Sequence, residues 1–350
     1  MDMRILIVKL SAIGDVVQSL PVLASLRSAF PGAHIGWVVG DAASGLLLRH
    51  PMLDEVIVFP RKKLGALAAS PLALPKFFTC AVSFLRRLRV NDYDFVLDLQ
   101  GLLKSGFITL FSRGRAKVGF SGGREASSLF LNTRLPAYDP DEHAVTRYLK
   151  LASHIGARVD RPVFPTGIDD ADREELHGLL EGLGLISRRI VCLIPGAAWG
   201  SKRWTSLGFA EVADYCSQHL GLSPVIVGGD ADKDIAWQIM SSASHPVFDL
   251  TGRTGLKSLA ALFEVSTVVL STDTGPMHLA AAAGVPVVAL FGPTAPWRTG
   301  PFGVSHKVIR LGLSCSPCFR RSCPEPMCMT GIDTSDVVAA VVSAVKDRQK

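Results

Sequence analysis

The chain reads as an α/β protein built of two doubly wound, Rossmann-like domains. Short apolar runs rich in β-branched residues alternate with helix-length amphipathic stretches, the pattern of parallel strands joined by crossover helices. The series occurs twice, once in each half, on either side of a stretch broken by prolines. The 350 residues, 48% hydrophobic and 19% charged, are enough for two cores and too apolar for disorder.

Residues 5–8 (Ile-Leu-Ile-Val) form the first strand. Met1-Asp2-Met3-Arg4 runs straight into it, without the longer apolar region and small-residue cleavage site of a signal peptide, so a cytosolic protein is expected. A polar turn with Gly14-Asp15 leads to a helix over 16–30, where Val17, Leu20, Leu23 and Leu26 share one face. Residues 35–39, 56–59 and 95–99 are the next strands. The pattern fades between Asp139 and Ile168, where Pro140, Pro162 and Pro165 follow Pro136, although 143–155 has room for one helix. The first domain is therefore set at 1–165 and the second at 166–332, with strands at 190–194, 224–227, 268–271 and 287–290. The remainder, 333–350, carries an amphipathic helix over 333–346, capped by Thr334 or Ser335, and is expected to pack back across the hinge. The longest nearly apolar stretch, 277–292, contains His278, Gly284 and Pro286, and reads as helix, turn and strand rather than a membrane span.

A formal charge of +6 suits an acidic small substrate or an anionic membrane face. No nucleic-acid partner is expected, because no recognition signature accompanies the charge. Seven cysteines without a secretion signal should be mainly reduced.

Ligands of doubly wound domains bind on loops at the carboxyl ends of the strands, so the informative motifs should follow strands. Lys9-Leu10-Ser11-Ala12-Ile13-Gly14-Asp15 has a single glycine and an acid where a phosphate cradle needs amides. It fits a carboxylate offered to an acceptor hydroxyl by Asp15, while spacing alone favours a helix N-cap at that position. Ser271-Thr272-Asp273-Thr274-Gly275-Pro276-Met277-His278 follows an apolar strand and opens a small-residue helix, so amides from Thr274 onward can hold a diphosphate. An ordinary cap by Asp273 and a packed His278 are the bland alternatives. The loop Pro195-Gly196-Ala197-Ala198-Trp199-Gly200-Ser201-Lys202-Arg203-Trp204 ends in two cations. Lys202 could neutralise a leaving phosphate in place of a metal, or simply be solvated.

Asp98-Leu99-Gln100-Gly101-Leu102-Leu103-Lys104-Ser105 follows another strand, and with Arg124-Glu125 and His143 it could form a polar, partly cationic acceptor pocket. Arg61, Lys62, Lys63, Lys76, Arg86, Arg87 and Arg89 flank Leu72, Leu74, Phe77, Phe78 and Phe84, a composition suited to a membrane surface or to a solvated helix face. Cys315-Ser316-Pro317-Cys318 with Cys323 and Cys328 could hold a structural metal or remain as reduced thiols.

The opening 4–9 with Gly14-Asp15, the segment 98–105, Lys202-Arg203-Trp204, and Asp273-Thr274-Gly275 with His278, in that order and each after a strand, resemble the family 9 glycosyltransferases over nearly the whole chain. The resemblance implies a GT-B fold whose two domains face a central cleft. It implies inverting, metal-independent transfer of heptose from an ADP-activated donor, with no cofactor. On that basis Asp15 is the base and Lys202 contacts the donor phosphate or heptose. Ala197, Ala198, Asp273, Thr274, Gly275 and His278 complete the donor side. Ser11, Gly14, Arg61, Lys62, Gln100, Lys104 and Arg124 form the acceptor side.

Within the family, 9–15, Arg124-Glu125 before Ser128-Leu129-Phe130, and His143-Ala144-Val145 resemble the enzyme that adds the first heptose to Kdo-lipid A in the inner core of lipopolysaccharide. The loop from Pro195 to Trp204 looks closer to the second heptosyltransferase, so heptosyl-Kdo-lipid A stands as the alternative acceptor. Either acceptor implies peripheral contact with the cytoplasmic face of the inner membrane. Two readings lie outside this class. Nucleotide-sugar 2-epimerases share the two-domain architecture. A non-catalytic sugar-nucleotide-binding protein is disfavoured because Asp15, Lys202 and Asp273 are all present.

Overall fold

The computed structural model describes residues 3–303 and 305–348. Met1 and Asp2, read with the first strand, and Gln349 and Lys350, read with the C-terminal segment, lie outside the described residues. The chain divides into two compact units, Met1–Gly167 and Ile168–Lys350.

The first unit holds strands β1 (Arg4–Val8), β2 (His34–Gly40), β3 (Glu55–Phe59), β4 (Asp92–Asp98), β5 (Arg113–Phe120) and β6 (Thr133–Leu135) in one parallel sheet of order β3-β2-β1-β4-β5-β6. Its helices are α1 (Ile13–Val17), α2 (Leu20–Ala29), α3 (Ser44–Leu47), α4 (Arg61–Ala68), α5 (Leu74–Leu88), α6 (Leu103–Phe111) and α7 (Ala144–His154). The stretch 16–30 is not one helix. Pro21, in the first turn of α2, lacks an N–H for the preceding turn and its ring would meet the carbonyl of Val17, so α1 stops and α2 starts anew.

The second unit repeats the plan. Strands β7 (Ile190–Ile194), β8 (Ser223–Ile226), β9 (Phe248–Asp249), β10 (Val268–Thr272), β11 (Val287–Leu290) and β12 (Lys307–Ile309) are parallel in the order β12-β11-β10-β7-β8-β9. The helices are α8 (Asp170–Gly182), α9 (Ser206–Leu220), α10 (Lys233–Ser242), α11 (Leu256–Val265), α12 (Gly275–Ala282), α13 (Pro296–Thr299), α14 (Met327–Thr330) and α15 (Thr334–Arg348). In both units the chain leaves the first strand for neighbours on one side and returns to the other, which makes a switch point between β1 and β4 and another between β7 and β10.

The C-terminal segment departs from expectation. Val337, Val341, Ala344 and Val345 of α15 join the core cluster of the second unit, where the helix packs on α9 and on β10 to β12, so 333–348 belongs to that unit's core. Its cap is Asp333 rather than Thr334 or Ser335, since Asp333 Oδ1 accepts from Ser335 N at 2.7 Å and from Ser335 Oγ at 2.6 Å. Residues 277–292 form the body of α12, a left-handed turn at Gly284 and β11. No helix among the described residues is long and apolar enough to cross a membrane.

Candidate active site

The switch point of the first unit is tied together by Gln100, whose Oε1 accepts the N–H groups of Leu10 at 3.0 Å and Ser11 at 3.1 Å. Beneath it lies Asp98, buried. Its Oδ1 accepts from Gln100 N and Gly101 N, and its Oδ2 from Ser105 Oγ at 3.0 Å. Burial raises the Asp98 pKa against those bonds.

Asp15 is the third residue of α1 and not its N-cap, a position that falls to Ala12. Oδ2 reaches back to accept from the Ala12 N–H at 2.9 Å, while Oδ1 accepts from Tyr148 Oη at 3.1 Å and lies 3.6 Å from Lys9 Nζ. The side chain keeps 36% of its surface exposed. Lys9 is buried and donates to Tyr148 Oη at 2.7 Å and to the Leu99 carbonyl at 3.2 Å. Burial lowers its pKa, with the charges of Asp15 and Asp98 pulling the other way. Tyr148 is pushed well above its ordinary value by burial and then by Asp15, so it stays a donor.

Around this trio the structure gathers most of the residues expected on the acceptor side. Lys104 Nζ donates to Ser11 Oγ at 3.2 Å, and its pKa is lowered by burial and then by the charge of Arg61, with Glu125 and Asp15 opposing. Gly14 is buried within α1. Arg124 N donates to the Gly101 carbonyl at 2.9 Å, and its side chain is exposed. Lys62 joins none of these contacts: its backbone N–H is held by Asp41 Oδ2 and its side chain is in solvent. His143 caps α7, accepting from Val145 N at 3.2 Å.

At the second switch point, Lys202 Nζ meets Asp273 Oδ2 at 2.6 Å, both side chains being largely buried. Thr294 Oγ1 donates to the same Asp273 oxygen at 2.6 Å, and Thr272 Oγ1 donates to the Gly196 carbonyl at 2.6 Å. Lys202 also lies over the Trp199 ring at 4.5 Å, and Arg321 over the same ring at 5.5 Å. One oxygen of the Asp273 carboxylate, Oδ2, therefore serves both Lys202 and Thr294. The capping position of α12 falls to Thr274, extended and without a side-chain cap bond, so the first-turn N–H groups of Gly275 and Met277 receive none from it, and Pro276 between them has no N–H. Ala197 is half-buried and Ala198 exposed on the facing loop. His278 lies inside α12 and is 8% exposed.

Tyr148 and Thr294 enter these clusters without having been named from the sequence, and Lys9 and Trp199, named only within their loops, were given no role of their own. Only their reach across the fold reveals them: Tyr148 lies 133 positions from Asp15.

All seven cysteines are free thiols, with Cys315, Cys318 and Cys323 exposed. Among the described residues no group of three or more His, Cys, Asp or Glu side chains could hold a metal ion, so the metal alternative for Cys315, Cys318, Cys323 and Cys328 finds no ligand geometry. Burial, and then the neighbouring Cys318, Cys315 and Cys323, push the Cys328 thiol up.

Comparison with known proteins places this architecture. Residues 81–329, well over half of the chain, match the model of glycosyltransferase family 9 (heptosyltransferase). Lipopolysaccharide heptosyltransferase 1 of Pseudomonas aeruginosa is 28% identical over 326 residues, covering 92% of this chain and 87% of that protein. Lipooligosaccharide heptosyltransferase 2 of Haemophilus ducreyi is 29% identical over 323 residues, covering 88% and 89%. The solved structure of the E. coli heptosyltransferase WaaC with ADP superposes with a TM-score of 0.74 at 25% identity, over 87% of this chain and 92% of that one. The epimerase alternative gives way to these matches. The chain belongs to glycosyltransferase family 9, the heptosyltransferases, and is a glycosyltransferase of the GT-B fold.

Proposed function

We propose that the enzyme transfers heptose from ADP-heptose to the Kdo of Kdo-lipid A, with inversion, in lipopolysaccharide inner-core synthesis. The observation that carries the mechanism is the Asp15 carboxylate, held at Oδ1 by Tyr148 and Lys9 and at Oδ2 by the Ala12 N–H, with 36% of the side chain still exposed. Asp15 takes the proton of the acceptor hydroxyl as its oxygen attacks the anomeric carbon, and the bond from that carbon to the diphosphate breaks to release ADP. Lys202 offsets the charge that develops on the leaving diphosphate, and the amides at the start of α12, with Thr274 and Gly275, bind it. Asp273 positions Lys202 and receives hydroxyls of the donor sugar. The ADP bound to the WaaC relative supports the nucleotide, and the P. aeruginosa relative supports the first-heptose acceptor.

Peripheral membrane contact belongs to the same reading. Between Glu55 and Asp92 the sequence has no acid, and all seven basic residues named above for this region fall within it. On α4, α5 and the turn between them, Leu72 is 95%, Phe78 62%, Leu74 45% and Val82 44% exposed, which suits an anionic bilayer face.

The test is ADP release from ADP-heptose in EDTA, with Kdo-lipid A and heptosyl-Kdo-lipid A as alternative acceptors. Turnover with Kdo-lipid A alone is expected, and turnover only with the heptosylated acceptor would move the enzyme to the second step, a reading the H. ducreyi relative favours. Asp15→Asn should lower kcat about a hundredfold or more while leaving donor affinity intact. Wild-type turnover in that variant would reject the base.

A further inference from the structure

Beside the Asp15 trio the first unit contains a pocket of about 60 Å3, lined in part by Asp98, Gly123, Ser127, Tyr138, Arg147 and Tyr148. Two of its lining groups are buried donors with no protein partner, Arg147 Nε and Ser127 Oγ. Ser127 is only 2% exposed, and an unpaired buried hydroxyl or guanidinium nitrogen costs free energy unless something enters to meet it. The Arg147 guanidinium is fixed in place, stacked on the Tyr138 ring at 4.6 Å. At Gly123 any Cβ would collide with Ser127 Oγ, so the glycine keeps that hydroxyl in position.

Asp98 is the acid on the pocket wall, but its two oxygens already accept Gln100 N, Gly101 N and Ser105 Oγ, and burial favours its neutral form. An unpaired, oriented Arg with a buried hydroxyl beside it selects a small planar anion. A water needs about 10–15 Å3 of such space, so the pocket takes a carboxylate with a water and excludes a sugar ring.

Resting on the function proposed above, we infer that this pocket is the subsite for the carboxylate of the sugar-acid acceptor, gripped by Arg147 and Ser127. Tyr148 is at once a wall of the pocket and the donor to Asp15 Oδ1. A carboxylate anchored there lies one side chain away from the proposed base, and it fixes which face of the acceptor ring turns its hydroxyl to Asp15. The subsite makes the enzyme specific for acidic sugars, and neutral ring analogues lack the group that fills it.

The experiment compares Kdo-lipid A with its carboxyl-reduced counterpart at saturating ADP-heptose, for the wild type, Arg147→Met, Arg147→Lys and Ser127→Ala. Reduction of the carboxyl should raise the wild-type acceptor KM about tenfold or more, the size of one lost hydrogen bond to a charged group. Arg147→Met should raise KM for the natural acceptor by a similar factor and discriminate little between the two acceptors, while the donor KM stays within twofold. Arg147→Lys should recover only part of the discrimination, since it keeps the charge but not the fork. Equal wild-type KM for both acceptors, or undiminished discrimination in Arg147→Met, would overturn the subsite. Calorimetric titration of free Kdo and its carboxyl-reduced alditol separates this inference from the reading beneath it. Kdo binding that depends on Arg147 without any heptose transfer would sink the transfer reaction and keep the pocket, whereas transfer without such dependence would do the reverse. Should Arg147→Met fail to fold, as judged by circular dichroism and melting, Ser127→Ala carries the same comparison.

Discussion

Lys9 is an amine placed where solvent cannot reach it, and its donors meet Tyr148 and the Leu99 carbonyl, with Asp15 close by. Its pKa is lowered by that burial, so between the lowered value and the ordinary 10.5 the unfolded chain binds more protons than the folded one. Stability contributed by Lys9 therefore rises with pH across that window and is lost as pH falls through the folded value. Urea denaturation of the wild type and Lys9→Met at pH 8 and pH 10 should show the wild type gaining relative to the variant at the higher pH; a constant difference would reject the shift. Turnover of Lys9→Met should fall about tenfold, because Tyr148 and Asp15 lose the charge that orients them. The loop bearing Asp15 was legible in the sequence because it follows a strand. Tyr148 was not: a single tyrosine on the apolar face of α7 looks like any core residue until the fold brings it to Oδ1.

Strands buried on both faces announce themselves. β1, β2, β7, β10 and β11 are continuous apolar runs, and each was legible from composition alone. β5 was hidden because Arg113, Arg115 and Lys117 alternate with Gly114, Ala116 and Val118, while β9 and β12 are edge strands of two and three residues with too little pattern to detect. Helix termini matter for the donor loop as well. Thr205 caps α9 through the N–H of Gly208 at 3.0 Å, directly after the loop that carries Lys202. Thr205→Ala should cost about 1 kcal/mol of unfolding free energy, and Thr205→Ser should restore most of it. Urea midpoints measure both, and an alanine variant as stable as the wild type would show that the cap contributes nothing.

Each unit has its own sheet and core, and every group proposed to hold the nucleotide belongs to the second. ADP at about a hundred times its dissociation constant should add about 2.7 kcal/mol to the stability of whatever folds with its site. Hydrogen exchange should then slow in residues 168–350, most at the start of α12 and around Lys202, with little change in β1 to β6. Equal slowing in both units would contradict a nucleotide site confined to the second. The Lys202–Asp273 pair gives that site a further property. Before any nucleotide arrives the lysine is already paired, so in the proposed reaction an incoming diphosphate has to trade places with a carboxylate and stray monoanions have little to win. After the reaction the trade runs backwards: Lys202 has a partner waiting, and ADP departs by exchange rather than by leaving a bare charge behind. The resting site thus works as an ion exchanger, loaded with its own counter-ion between turnovers.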